Sequence, residues 1–135
     1  SVVRTQLEPF GIGERCHISG APVMLAPNAV QYIGMAIYEL ATNSVKYGAL
    51  GAADGKVIIS WSRLPADETN GTEEFQFEWR EEDGPGVQPT SSGGFGRKVL
   101  EQLVSLALEG RATLIFHPAG VRWTLFAPAG AVLAG

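Results

Sequence analysis

The strongest periodic signal in the chain runs from Pro27 to Tyr47. There Val30, Ile33, Ile37, Leu40 and Ala41 recur at three and four residues and share one stripe of a helix. Pro27 suits the first helical position, where its missing N–H costs nothing, and Gly48 suits a left-handed residue just past the end. A second amphipathic helix is predicted over residues 97–109, with Val99, Leu100, Leu103, Leu106 and Ala107 inward and Gly110 ending it. Elsewhere the period shortens to two. Residues 16–18 and 23–25 alternate apolar and polar around Gly20-Ala21-Pro22 and read as two short strands or a hairpin. Residues 56–61 are rich in Val and Ile, and Phe75, Phe77 and Trp79 alternate with polar residues in a further strand. Residues 112–117 and 121–126 form a last pair meeting at Pro118-Ala119-Gly120, and the Ala/Gly tail over 129–135 is expected to fray.

Helices set between strand pairs, with no regular strand-helix alternation and no internal repeat, predict an α+β fold. It is a two-layer sandwich of a mixed, mostly antiparallel sheet with helices on one face. The other face would then need Trp61, Trp79 or Trp123 to be covered or partly wet. Residues 64–72 read as an exposed loop. Residues 83–96, holding Gly84, Gly86, Gly93, Gly94 and Gly96 with two prolines, exclude helix and regular strand and read as a shaped or mobile loop.

Composition narrows the function classes. At 135 residues, 45% hydrophobic and 18% charged, the chain suits one domain spanning 1–135, and its opening Ser-Val-Val-Arg-Thr reads as a cut inside a longer protein. A net charge of −4 supplies no global positive field, so neither nucleic acid nor an anionic membrane surface is an expected partner. The single cysteine, Cys16, excludes an intrachain disulfide and fits a cytoplasmic setting. No apolar run approaches the roughly 20 residues that span a bilayer.

Candidate chemistry gathers in two places. On the first helix Glu39, Asn43, Lys46 and Tyr47 are spaced i, i+4, i+7, i+8 and form a second stripe, which is either a solvated face or a site. Asn competes for its own backbone in mid-helix, so its place asks for a reason. An amide oxygen suits Mg²⁺, a carboxylate can accept a proton or orient a metal-bound water, and an ammonium can neutralise phosphate. The second place is the glycine-rich stretch. Asp83-Gly84-Pro85-Gly86 is either a tight turn or a site where Asp83 accepts a hydrogen bond from an exocyclic amine while Gly84 and Gly86 let a purine lie on bare backbone. Gly93-Gly94-Phe95-Gly96 opens the second helix, whose unpaired N–H groups form an anion site. No G-x-x-x-x-G-K-[ST] is present, which excludes a P-loop ATPase.

The series 39–50 (Glu-Leu-Ala-Thr-Asn-Ser-Val-Lys-Tyr-Gly-Ala-Leu), Trp79-Arg80-Glu81, Asp83-Gly84-Pro85-Gly86 and Gly94-Phe95-Gly96 resembles the ATP-binding domain of sensor histidine kinases. It is closest to the HWE subfamily of the GHKL ATPase superfamily. The resemblance covers about 7–128 and implies Asn43 as Mg²⁺ ligand, Glu39 as base or as positioner of a metal-bound water, and Asp83 as adenine reader. Gly84 with Gly86, and Gly94 with Gly96, match the two glycine boxes, and Trp79 and Glu81 match W-x-E. Tyr38 stands where the subfamily has its namesake histidine. The implied cofactors are ATP and Mg²⁺. The implied activity is transfer of the γ-phosphoryl to a histidine on a separate dimerisation domain of the parent kinase, with a response regulator downstream. His17 and His117 both fall outside the predicted helices, so the acceptor is expected elsewhere. Two other readings stay open: a degenerate module that holds nucleotide or a partner without catalysis, and a GHKL serine kinase or ATPase.

Overall fold

The strands are β1 (Cys16–Ser19), β2 (Lys56–Leu64), β3 (Glu74–Glu82), β4 (Arg111–His117) and β5 (Gly120–Pro128) in a computed structural model that describes residues 13–66, 71–84, 95–118 and 120–134. They form one sheet in the order β1-β2-β3-β5-β4. β1 runs parallel to β2 and every other pair is antiparallel. A parallel pair cannot close through a tight turn, and α1 (Pro27–Tyr47) lies in the crossover that joins the two. α2 starts at Phe95–Lys98, passes through a π turn at Val99–Leu103 and ends with Val104–Ala107. Among the described residues no helix is long and apolar enough to cross a membrane.

Strand register sends alternate residues to one face. Ile59 lies opposite Trp79, Trp79 opposite Trp123, and Trp61 opposite Phe77. This is the face the helices cover: Ile33, Ile37 and Leu40 of α1 and Leu100 and Val104 of α2 are buried in the same core. Trp123 Nε1 donates to the Leu100 carbonyl of α2 at 2.8 Å, and Trp61 stacks on Phe77 with ring centroids 6.3 Å apart. All three tryptophans therefore sit on the helix side, and the open face does not have to cover one. That open face carries ion pairs instead, among them Arg122 with Glu78 at 2.7 Å and Arg80 with Glu82 at 3.2 Å. The solvent-exposed Arg80–Glu82 pair contributes about 1 kcal/mol or less, whereas Glu78 is buried beneath the guanidinium of Arg122.

Five sequence expectations need correction. Residues 16–25 are not a hairpin: β1 pairs with β2, and Leu25 makes one bridge, to Leu133. The chain turns away at Gly20, where a Cβ would strike the Trp61 ring, and Trp61 Nε1 donates to the Ala21 carbonyl. On α2, Leu103 and Leu106 point outward, Leu106 being 82% exposed, whereas Leu108 is buried. The wider π turn shifts the helical phase, so the buried series becomes Val99, Leu100, Val104 and Leu108. Gly48 is extended (φ −119°, ψ −152°) rather than left-handed. Glu109, at φ 57°, takes the left-handed position expected of Gly110, whose own Cβ would collide with the Phe126 carbonyl. Finally, the tail is packed: α3 (Ala129–Val132) buries Val132, and backbone bonds from Ala26 to Val132 and from Ala134 to Met24 hold it. Residues 85–94 of the glycine-rich stretch lie outside the described residues, and Phe95 and Gly96 belong to α2.

Candidate functional site

Glu39 and Asn43 stand one turn apart on α1, both half-buried, and Lys46 and Tyr47 follow on its exposed last turn. At 1.5 Å rise per residue, the eight steps from Glu39 to Tyr47 span roughly 12 Å. A carboxylate, an amide and an ammonium are thus strung along one helix edge, with a different neighbour at each end.

At the first end α1 meets the start of α2. A Cβ on Gly96 would lie 2.6 Å from Glu39 Oε2, so glycine is what allows the first turn of α2 to come this near the carboxylate. Backbone N–H groups in a first helical turn have no intrahelical partner and carry the positive end of the dipole. Glu39 also borders an open groove of about 450 Å³ with Val30, Gly34, Met35, Tyr38 and Val99. Asn43 lies deeper, in the wall of a small cavity shared with Leu40, Glu81, Leu100 and Phe116.

At the second end the chain leaves α1 through Gly48 into a 3-10 turn at Ala49–Gly51, and Glu81 of β3 holds it there. The Glu81 side chain is buried, with Ala49 N donating to Oε1 at 2.9 Å and Trp79 Nε1 to Oε2 at 3.2 Å. Burial pushes its pKa above the usual carboxylate value. Hydrogen bonds from the Ala49 N–H, the Trp79 indole, the Val121 N–H and Ser44 oppose that rise without cancelling it. Cβ atoms on Gly48 or Gly120 would run into Glu81. Ser44 Oγ, fully buried, accepts from Leu50 N at 3.1 Å. Asp83 follows directly after β3 in the left-handed region at φ 57°, which aspartate tolerates. Its carboxylate is exposed and 3.8 Å from Lys56 Nζ.

The structure therefore brings Glu39 to Gly96, Asn43 to the cavity wall that Glu81 shares, and Gly84 to Ala49. A Cβ on Gly84 would lie 2.5 Å from the Ala49 Cα, so on that side the room glycine leaves is filled by protein backbone. Trp79 and Glu81 form a buried pair that anchors the segment after α1. Lys46 and Tyr47 are exposed, Phe95 begins α2, and Gly86 and Gly94 lie outside the described residues. Sequence reasoning passed over Ser44, Ala49 and Arg15. Ser44 had a signal, since it extends the apolar stripe of α1, and a polar group there needs a partner. The bonds of Arg15 reach 34 to 40 residues along the chain, and no local pattern announces them.

No family model matches the chain. It is 33% identical over 129 residues to a blue-light-activated histidine kinase of Brucella anthropi, which covers 94% of this chain and 26% of that protein. The homologous Brucella ovis protein is 32% identical over the same length. The chain thus spans about a quarter of the curated relatives it matches. In structure it resembles the histidine kinase domain of the Erythrobacter litoralis EL346 blue-light activated histidine kinase, with a TM-score of 0.71 at 15% identity, covering 95% of this chain and 61% of that one. It also resembles the catalytic domain of histidine kinase ThkA, with a TM-score of 0.65 at 13% identity, covering 94% and 90% of the two chains.

Proposed function

We propose that the chain is the ATP-binding domain of a sensor histidine kinase and that it binds Mg-ATP along the edge of α1, from Glu39 to the Asp83-Gly84 turn beside Ala49. It then delivers the γ-phosphoryl group to a histidine on a separate dimerisation domain of its parent, in the cytoplasm, as the first step of two-component signalling through a response regulator. The observation that carries this reading is the layout of that edge. The dipole end of α2 and a carboxylate stand at one end, an amide in the middle, and the Asp83-Gly84 turn at the other.

In this reading Asp83 accepts a hydrogen bond from the adenine amino group, its exposed carboxylate being accessible to a base edge. Lys46 offers a mobile cation to the phosphates, and the N–H groups of the first turn of α2 offer them donors. The donor set fits Mg²⁺: the Asn43 amide oxygen is a hard, neutral ligand, and phosphates and water supply the remaining oxygens. The ion, when bound, neutralises charge on the phosphates. Glu39 receives the proton of the attacking imidazole or holds that ring in line while the N–P bond forms and the bond to the ADP oxygen breaks. The work is mainly positioning and charge compensation. The buried Trp79 and Glu81 pair supports an HWE-like assignment, with Tyr38 at the namesake position.

Titration calorimetry with Mg-ATP tests the reading. Wild type should bind in a magnesium-dependent way and Asn43→Ala should bind on the order of 100-fold more weakly; equal affinity would remove the metal-ligand role. Asp83→Asn should lose its preference for ATP over GTP. With only His17 and His117 present, both on strands, the chain should not label itself with γ-labelled ATP until an acceptor helical hairpin is added.

A further inference from the structure

Arg15 has no part in the reading above, yet its contacts converge on the site. The 3-10 turn Gly13–Arg15 leads into edge strand β1 and presents the guanidinium to the segment that follows α1. Nε donates to the Gly55 carbonyl at 2.8 Å, and Nη1 to that of Leu50 at 3.1 Å. Nη2 donates to the carbonyls of Ala49 at 2.8 Å, of Gly55 at 2.6 Å, and of Ala52. One side chain thus gathers four backbone oxygens over seven residues. A guanidinium can do this because its five N–H donors lie in one rigid plane and it carries no acceptor; an ammonium offers a single point. Gly55 completes the fit, since a Cβ there would collide with the Ala49 carbonyl.

Ala49 is where these bonds become relevant to function. Its carbonyl is held by Arg15, its N–H by Glu81, and its Cα lies against Gly84, the neighbour of Asp83. Ala49 also follows α1 closely, so the distance between Asn43 and Asp83 is transmitted through it. We propose that Arg15 is a positioning residue for nucleotide recognition: by clamping Ala49, Leu50, Ala52 and Gly55 it sets where Asp83-Gly84 stands relative to Asn43, and thereby the selection of adenine. This rests on the reading under Proposed function. A loop staple without that role would affect stability alone, whereas a positioning residue also affects which base is chosen.

Calorimetric affinities for Mg-ATP and Mg-GTP, measured on wild type, Arg15→Gln and Arg15→Lys beside urea unfolding curves, separate the two. We expect Arg15→Gln to lose about tenfold in affinity for Mg-ATP with little change for Mg-GTP, so that the ATP/GTP preference collapses, and Arg15→Lys to recover part of it. An unchanged preference in a folded Arg15→Gln overturns the proposal, even if its urea midpoint has dropped. Should Arg15→Gln fail to fold, an Arg15→Lys protein with a lowered midpoint and wild-type preference overturns it equally. A wild type that binds no Mg-ATP would sink the underlying reading, and this proposal with it.

Discussion

The edge of α1 ends in two quite different constructions. Beyond Tyr47 the backbone is wired by side chains: Glu81 of β3 takes the Ala49 N–H, Arg15 of the 3-10 turn before β1 takes four carbonyls, and Ser44 of α1 itself takes the Leu50 N–H. At Glu39, by contrast, two helices approach because Gly96 has no side chain, and what it meets is the far end of a flexible carboxylate. In the proposed reading this contrast divides the labour: the end assigned to the base is held by side-chain hydrogen bonds, and the end assigned to the phosphates keeps a movable acid.

Cys16 gives the largest readout of that contrast. It adjoins Arg15, and burial pushes its thiol up to about 11, against a smaller lowering by the Arg15 charge. The thiolate is the reactive form, so at pH 8 a disulfide reagent should label the folded chain about 100-fold more slowly than the urea-unfolded chain. Comparable rates would mean that the wired end opens freely.

Glycine substitutions break the two ends separately. In Gly84→Ala the new methyl meets backbone that cannot yield, and we expect about 1–3 kcal/mol of destabilisation by urea unfolding. In Gly96→Ala the Glu39 carboxylate can swing aside, so the stability loss should stay below about 1 kcal/mol while the rate of phosphoryl transfer to an added acceptor falls. Equal losses of stability would erase the distinction between a rigid and a movable end.

A smaller effect is carried by pH. The Glu81 carboxyl titrates above its usual value in the fold, so between the unfolded and folded pKa values the native state binds more protons. Its contribution to stability therefore declines as pH rises from the ordinary carboxylate range through the higher folded pKa and levels off above it, with a slope of at most about 1.4 kcal/mol per pH unit. Glu81→Gln should flatten that slope; parallel stability curves for the two proteins between pH 4 and 7.5 would remove the buried carboxylate as its source.

Local periodicity was sufficient wherever an element's partner lay on the covered side of a regular helix or strand. The bounds of α1 follow from its apolar stripe and Pro27, and four motifs in order carried the family resemblance. It misled where tertiary contacts changed the geometry. A π turn re-phased α2 and turned Leu106 outward, and the Trp61 ring redirected residues 16–25 from a hairpin to a parallel edge. Gly48 and Gly84 were identifiable as special, but not through the contacts the fold gives them. Their missing side chains make room for Glu81 and Ala49, neighbours that only folding supplies.

By itself the sequence determined the α+β class, the long helix and the residue types along its edge, because hydrophobic period and side-chain chemistry are local properties of the chain. Tertiary structure alone decided that Arg15 and Glu81 converge on Ala49, that Gly96 faces Glu39, and which side of α2 is buried. Those outcomes depend on hydrogen bonds and steric contacts between segments far apart in the chain, 57 positions for Glu39 and Gly96 and 79 for the Asn28 to Ala107 bond between the helices, which no local pattern can encode.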